Sequence, residues 1–194
     1  MSTYRSSRAF AADEIRAFLR AVDRHLTRRA RVEIIGGSAA ALAHGATSTT
    51  TDVDTLTVMN AELEAAVARA VIETRLNISV SHAAVADVPL DYVERLERQL
   101  PELEKLEVWV LEKHDLVLSK TIRCYEHDLQ QIREIRDRVG LSFDTLVERF
   151  RDEMSHVMGD PARIRTNFLV MIDDVFGELK RVAAERALKA APIR

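Results

Sequence analysis

Apolar residues recur at helical spacing over residues 10–29, where Ile15, Phe18, Leu19, Val22 and Leu26 form one stripe. Arg16, Arg20, Arg24 and Arg28 repeat every fourth position and lay a basic stripe beside it. The period then shortens. Val32-Glu33-Ile34-Ile35 predicts a strand that ends at Gly36-Gly37-Ser38, and Ala39 to His44 predicts a short helix stopped by Gly45. A threonine-rich connection, Thr47 to Thr51, leads into residues 52–58, whose alternation predicts a second strand. Residues 61–76 predict a helix. Residues 77–90 read as short strand or loop pieces closed by Pro89, and about ten residues of helix are predicted from there to Pro101. Leu106 to Leu111 is the clearest later strand, with Trp109 on one face and Val108 and Val110 on the other. From Lys113 onward the pattern is helical, with breaks near Gly140 and at Gly159-Asp160-Pro161.

This order implies an α/β core over residues 1–140 and a helical extension over 141–194. The length, 194 residues, suits one domain with such an extension. With 47% hydrophobic and 30% charged residues the chain can bury a core and is not a disordered or collagen-like composition. No apolar run approaches the roughly 20 residues of a membrane span, and MSTYRSSRAF lacks the apolar centre of a signal peptide. A soluble cytoplasmic protein without a membrane partner is therefore expected. The single cysteine, Cys124, excludes an intramolecular disulfide and an all-cysteine metal cage; it lies in a helical segment and reads as a small buried side chain. The six histidines show no metal-ligand spacing, and His44 reads as a capping or solvent-facing residue. Met154, Met158 and Met171 read as helix packing.

The formal net charge of −3 favours no partner, but its distribution is uneven. Residues 1–31 hold eight Arg against Asp13, Glu14 and Asp23, residues 161–194 are also net basic, and the stretch between is strongly acidic. Basic ends around an acidic centre suit a protein that brings a polyanion to a metal-binding centre; solvated helix faces are the plain alternative.

The chemistry concentrates at Ile34-Ile35-Gly36-Gly37-Ser38 and Asp52-Val53-Asp54. Two glycines after a strand permit a tight turn and close approach of a phosphate, the next helix aims its first amides at that phosphate, and Ser38 can cap the helix or bond a phosphate oxygen. A simple strand-to-helix turn has the same residues. Asp52 and Asp54, at i and i+2 of a strand, share a face. Two carboxylates so placed repel unless a cation sits between them, and hard oxygen donors suit Mg²⁺ or Mn²⁺. An exposed pair at the start of a strand is the alternative.

Taken together, a Gly-Gly-Ser turn after one strand and an Asp-x-Asp on the next resemble the nucleotidyltransferase superfamily that includes DNA polymerase β. The stretch Val110 to Lys120, its continuation Arg123 to Ile132, and Tyr92 to Leu96 resemble bacterial AbiEii-type and related nucleotidyltransferase-like proteins. The resemblance spans about residues 30–135. It implies a minimal nucleotidyltransferase fold, a small mixed sheet flanked by helices, with Gly36, Gly37 and Ser38 holding the triphosphate and Asp52 and Asp54 holding the metal. It further implies that Lys120 and Asp128 join the active site, Lys120 neutralising phosphate charge and Asp128 orienting it or assisting the acceptor. On one helix their eight-residue separation would put them two turns apart near one face. The implied activity moves a nucleotidyl group from a nucleoside triphosphate to an acceptor hydroxyl, with tRNA or another RNA as acceptor. The implied setting is a bacterial toxin–antitoxin or phage-defence pair with an antitoxin protein as partner, and the Arg16–Arg28 stripe is then a candidate contact for RNA phosphates.

The chain departs from that pattern in three places. Related proteins often carry an arginine shortly before the Asp-x-Asp, where Thr47 to Thr51 offers hydroxyls. They often carry an acid three residues after the place of Asp128, where this chain has Gln131. A third metal carboxylate has only Glu107 and Asp87 as candidates. A non-catalytic binding module on the same fold is the rival expectation.

Overall fold

A computed structural model of the chain describes residues 8–47, 50–84 and 87–190. Residues 1–7, read above for a leader, and Ser48 and Thr49 of the threonine-rich connection lie outside the described residues. The fold is mixed α/β, as expected, and the chain divides into two units. One holds the described residues through Ala43, Thr47–Ala83 and Arg98–Val110; the other holds His44–Ala46, Ala84–Glu97 and the chain from Leu111 onward.

The first unit is built on a mixed sheet. Its strands are β1 (Ala30–Ile35), β2 (Asp52–Thr55), β3 (Ser79–His82), β4 (Glu97–Gln99) and β5 (Leu106–Val110), in the order β3-β2-β1-β5-β4. β1 runs antiparallel to β2 and parallel to β5, and β2 runs parallel to β3. Alternation sorts the two sheet faces. Val32, Ile34, Val53, Leu106 and Val108 are buried, while Glu33, Ile35, Asp52, Asp54, Glu107 and Trp109 stay half-buried on the other side. The buried face meets α1 (Ala12–His25) and α3 (Ala61–Thr74), whose Leu19, Val22 and Leu63 close against Val32, Val53 and Leu106. All five residues of the predicted α1 stripe are buried. Asn60 caps α3 by accepting from the Leu63 amide at 2.9 Å.

The predicted basic stripe faces carboxylates, although α1 ends at His25 and leaves Arg28 in the following loop. Arg16 pairs with Asp13 at 3.0 Å and donates to the Leu42 carbonyl, Arg20 pairs with Glu102 at 2.8 Å, Arg24 pairs with Glu73, and Arg28 pairs with Glu62. Glu62 also accepts from the Thr27 hydroxyl and amide; these bonds, with those from Arg28, hold its carboxyl at about 2.

The second unit is helical: α4 (Lys113–Arg123), α5 (Glu126–Val139), α6 (Phe143–Glu153), α7 (Pro161–Phe176) and α8 (Glu178–Ala190). Phe150 and Phe168 stack at a centroid distance of 3.9 Å, and Leu116, Ile132, Ile135 and Met171 of the same unit are fully buried. Gly140 and Gly159, both at positive φ, fall at the predicted breaks. Asp160 caps α7 with Pro161 in its first turn.

Several expectations are corrected. The predicted helix before Pro101 is one 3-10 turn, Tyr92–Arg95, followed by β4. The Arg95 guanidinium is spent on Asp115 at 2.8 Å and Glu153 at 2.6 Å, so tertiary pairing overrides the local helical pattern. The second predicted strand stops at Thr55, whose hydroxyl donates to the Glu33 carbonyl and accepts from the Thr57 amide, turning the chain off the sheet. Cys124 is not inside a helix. It ends α4 in the left-handed region at φ +52 and is half-buried. His44 is buried, its Nε2 2.7 Å from the Leu111 carbonyl, rather than solvent-facing. Met154 and Met171 pack as expected, whereas Met158 is 78% exposed.

Candidate functional site

Strand pairing brings the turn and the acid pair of the first unit together. Ile35, the last residue of β1, lies opposite Asp54 of β2. The next residue, Gly36, takes φ +69 and starts α2 (Gly36–Ala43). A Cβ at Gly36 would stand 3.1 Å from Asp54 Oδ2. A side chain there would crowd the carboxylate by a few tenths of an ångström, and the left-handed φ itself favours glycine. Asp52 and Asp54 alternate with buried Val53, so both carboxylates project from the sheet face opposite α1 and α3. Both are half-buried, a setting that keeps a carboxylate in reach of a ligand. The Thr50 hydroxyl donates to the Asp52 carbonyl at 3.2 Å.

Ser38 is the third residue of the short helix, 1% exposed, and its hydroxyl donates to the Ile35 carbonyl at 3.2 Å. It ties the turn to the strand end. Gly37 is helical. Beside the acid pair, parallel β3 sets Ser79 next to Asp52 and Ser81 next to Asp54. Neighbours in register share a face, so two hydroxyls flank the two carboxylates. Glu107 is elsewhere: it is registered with Arg31, two strands away from Asp54 and four residues down the sheet from Ile35. Among the described residues no group of three or more His, Cys, Asp or Glu is arranged to hold a metal ion. Two hard oxygen donors on one strand face, one of them against a glycine that clears space for it, are a donor set of the kind that binds Mg²⁺ jointly with substrate phosphates.

Lys120 and Asp128 belong to the second unit and lie on different helices, which corrects the one-helix expectation. The left-handed turn at Cys124 folds α5 back on α4, and Lys120 Nζ comes to 3.7 Å from Asp128 Oδ1. Asp128 is fully buried and also accepts from Arg123 at 3.2 Å and from the Tyr125 amide at 3.3 Å, where it completes the first turn of α5. Lys120 donates to Gln131 Oε1. Gln131, read from sequence only as a departure, is thus a partner of the buried lysine. Its spacing of three from Asp128 on a helix is the signal that marks it. Burial and the charges of Asp128, Asp174 and Glu126 push the Cys124 thiol up, against a nucleophilic role.

A second ionic cluster in this unit is absent from the sequence reading. Asp115, fully buried, accepts from Arg95 and Arg149, the latter at 2.7 Å. Glu112 caps α4 through the His114 amide, accepts from His114 Nδ1 at 2.7 Å and pairs with Arg149 at 2.6 Å. Burial raises its carboxyl, but the bonds to His114 and Arg149 outweigh this and hold it at about 2. The Ser142 amide donates to His114 Nε2 at 2.9 Å, joining α4 to the start of α6.

The sheet order, the antiparallel β1–β2 pair and a glycine turn against an Asp-x-Asp define the nucleotidyltransferase class of fold. Residues 13–177 match the family described as nucleotidyltransferase of unknown function (DUF6036), and the chain belongs to that family. No curated protein and no solved structure matches the chain. No helix among the described residues is long and apolar enough to cross a membrane.

Proposed function

We propose that the chain is a metal-dependent nucleotidyltransferase that moves a nucleotidyl group from a nucleoside triphosphate to an acceptor hydroxyl. The observation that carries this reading is the Asp54 carboxylate lying against Gly36, with Asp52 on the same strand face. Asp52 and Asp54 would hold Mg²⁺ or Mn²⁺, which when bound neutralises phosphate charge and acidifies the acceptor hydroxyl. Gly36 and Gly37 leave the backbone open to the phosphates, and Ser38 keeps the turn closed on Ile35. In the transfer the acceptor hydroxyl gives its proton to solvent, its oxygen bonds to the α-phosphorus, the bond from that phosphorus to the α–β bridging oxygen breaks, and pyrophosphate leaves. The resemblance gives roles to Lys120 and Asp128, which pair with each other inside the second unit. It also supports RNA such as tRNA as acceptor, and a toxin or phage-defence role with an antitoxin partner.

The test is incubation of the protein with each labelled nucleoside triphosphate and total RNA, with and without Mg²⁺. Label should pass to RNA with one nucleotide, and Asp52→Asn or Asp54→Asn should abolish it while thermal unfolding stays cooperative. Full activity in both variants would remove the assignment. Ser79 and Ser81, hydroxyls rather than acids beside the pair, favour the second reading, a nucleotide-binding module without turnover. That reading predicts nucleotide-dependent thermal stabilisation with no labelled product.

A further inference from the structure

The sheet face that carries Asp54 holds another group that phosphate and metal binding leave unused. Trp109, the sole tryptophan of the chain, lies on β5 in register with Glu33 of β1. Its side chain therefore leaves the sheet on the Asp54 side, opposite buried Val108 and Val110. The Arg31 guanidinium lies over the indole, 5.0 Å from the ring centroid, and Glu33 holds it there at 3.0 Å. The indole N–H is buried and meets no acceptor. An indole nitrogen can only donate, and an unmet buried donor is a net cost that a bound acceptor removes.

Register gives the spacing. Asp54 pairs with Ile35, and Glu33, two residues back on the same face, pairs with Trp109. Two strand steps and two residues along the sheet separate Asp54 from Trp109 by about 12 Å between Cα atoms. A nucleotide with its phosphates at the Gly36–Asp54 end reaches that far with its base. Every base offers a π-face for stacking and an edge with acceptors.

We propose that Trp109 and Arg31 seat the nucleobase of the nucleoside triphosphate, its edge accepting from the indole N–H and its face meeting the Arg31 guanidinium beside the indole. This rests on the nucleotidyl-transfer reading and names the substrate-recognising part of the same sheet face. The Arg31–Glu33 pair fixes the planar cation in advance, so little side-chain freedom is lost on binding.

The sole tryptophan makes the test direct. The full chain is titrated with ATP, GTP, CTP, UTP and inorganic tripolyphosphate in Mg²⁺, by intrinsic fluorescence and by calorimetry. At least one nucleotide should change the emission saturably, with the dissociation constant that calorimetry gives, and tripolyphosphate should bind without that change. Trp109→Phe, which keeps a ring and removes the donor, should weaken that nucleotide at least tenfold and leave tripolyphosphate binding unaltered. Arg31→Gln, on a more exposed side chain, should weaken it in the same selective way and carries the test if Trp109→Phe does not fold. Nucleotide binding that depends on Asp54, with unchanged emission and no loss in either variant, overturns the base seat while leaving the transfer reading intact. Binding of no nucleotide by the wild-type chain overturns both.

Discussion

Asp54 Oδ2 lies against Gly36, 3.1 Å from where a Cβ on that residue would stand. The two residues are neighbours through strand pairing, because Ile35 and Asp54 face each other across β1 and β2. Gly36→Ala should therefore act twice. Alanine at φ +69 costs about 1–2 kcal/mol of stability, and its methyl group pushes the carboxylate by a few tenths of an ångström. Chemical denaturation should show the first effect, and Mg²⁺-dependent nucleotide binding should fall with the second. Binding as strong as wild type in a folded Gly36→Ala protein would separate the turn from the acid pair.

Asp128 answers to two cations and a backbone amide inside the second unit. Removing it takes a buried acid from beside Lys120, which is 3% exposed. Asp128→Ala should lose about 3 kcal/mol or more in urea unfolding. Asp128→Asn keeps the shape and part of the hydrogen bonding and should lose less.

Glu112 gives the fold an acid limit. Its carboxyl is held at about 2 against an ordinary 4.5, so its folded form binds fewer protons than its unfolded form. A depressed acid contributes stability that is complete above pH 4.5 and disappears as pH falls through 2. Stability should therefore decline over that window in the wild-type chain, and the decline should be shallower in Glu112→Gln, followed by urea midpoints at successive pH values. An identical slope in both proteins would assign the acid limit to other carboxylates.

The α1 arginines are predicted to be quiet. Arg20 and Arg24 are partly exposed and already paired with Glu102 and Glu73. Solvent screens exposed pairs, so Arg20→Gln and Arg24→Gln should shift the unfolding midpoint little. With their charge engaged, the double variant should also leave the salt dependence of RNA labelling unchanged. A clear drop in its log–log salt slope would make these side chains phosphate contacts.

Local pattern carried much of this protein. The period of Ile15, Phe18, Leu19, Val22 and Leu26 set the buried face of α1, alternation around Val53 put Asp52 and Asp54 on one side of a strand, and glycines marked the breaks near 140 and 159. These features depend on neighbours within a turn or a strand, where geometry follows from chain stereochemistry. Pairings between distant residues had no such local mark. Nothing around Arg95 states that Asp115 and Glu153 will take its guanidinium and break a helix into a turn and an edge strand. The left-handed turn at Cys124, which places Lys120 against Asp128 across two helices, and the acids that meet each α1 arginine were likewise decided by the fold. Burial and long-range charge pairing depend on what the rest of the chain brings near, and only the folded arrangement sets that.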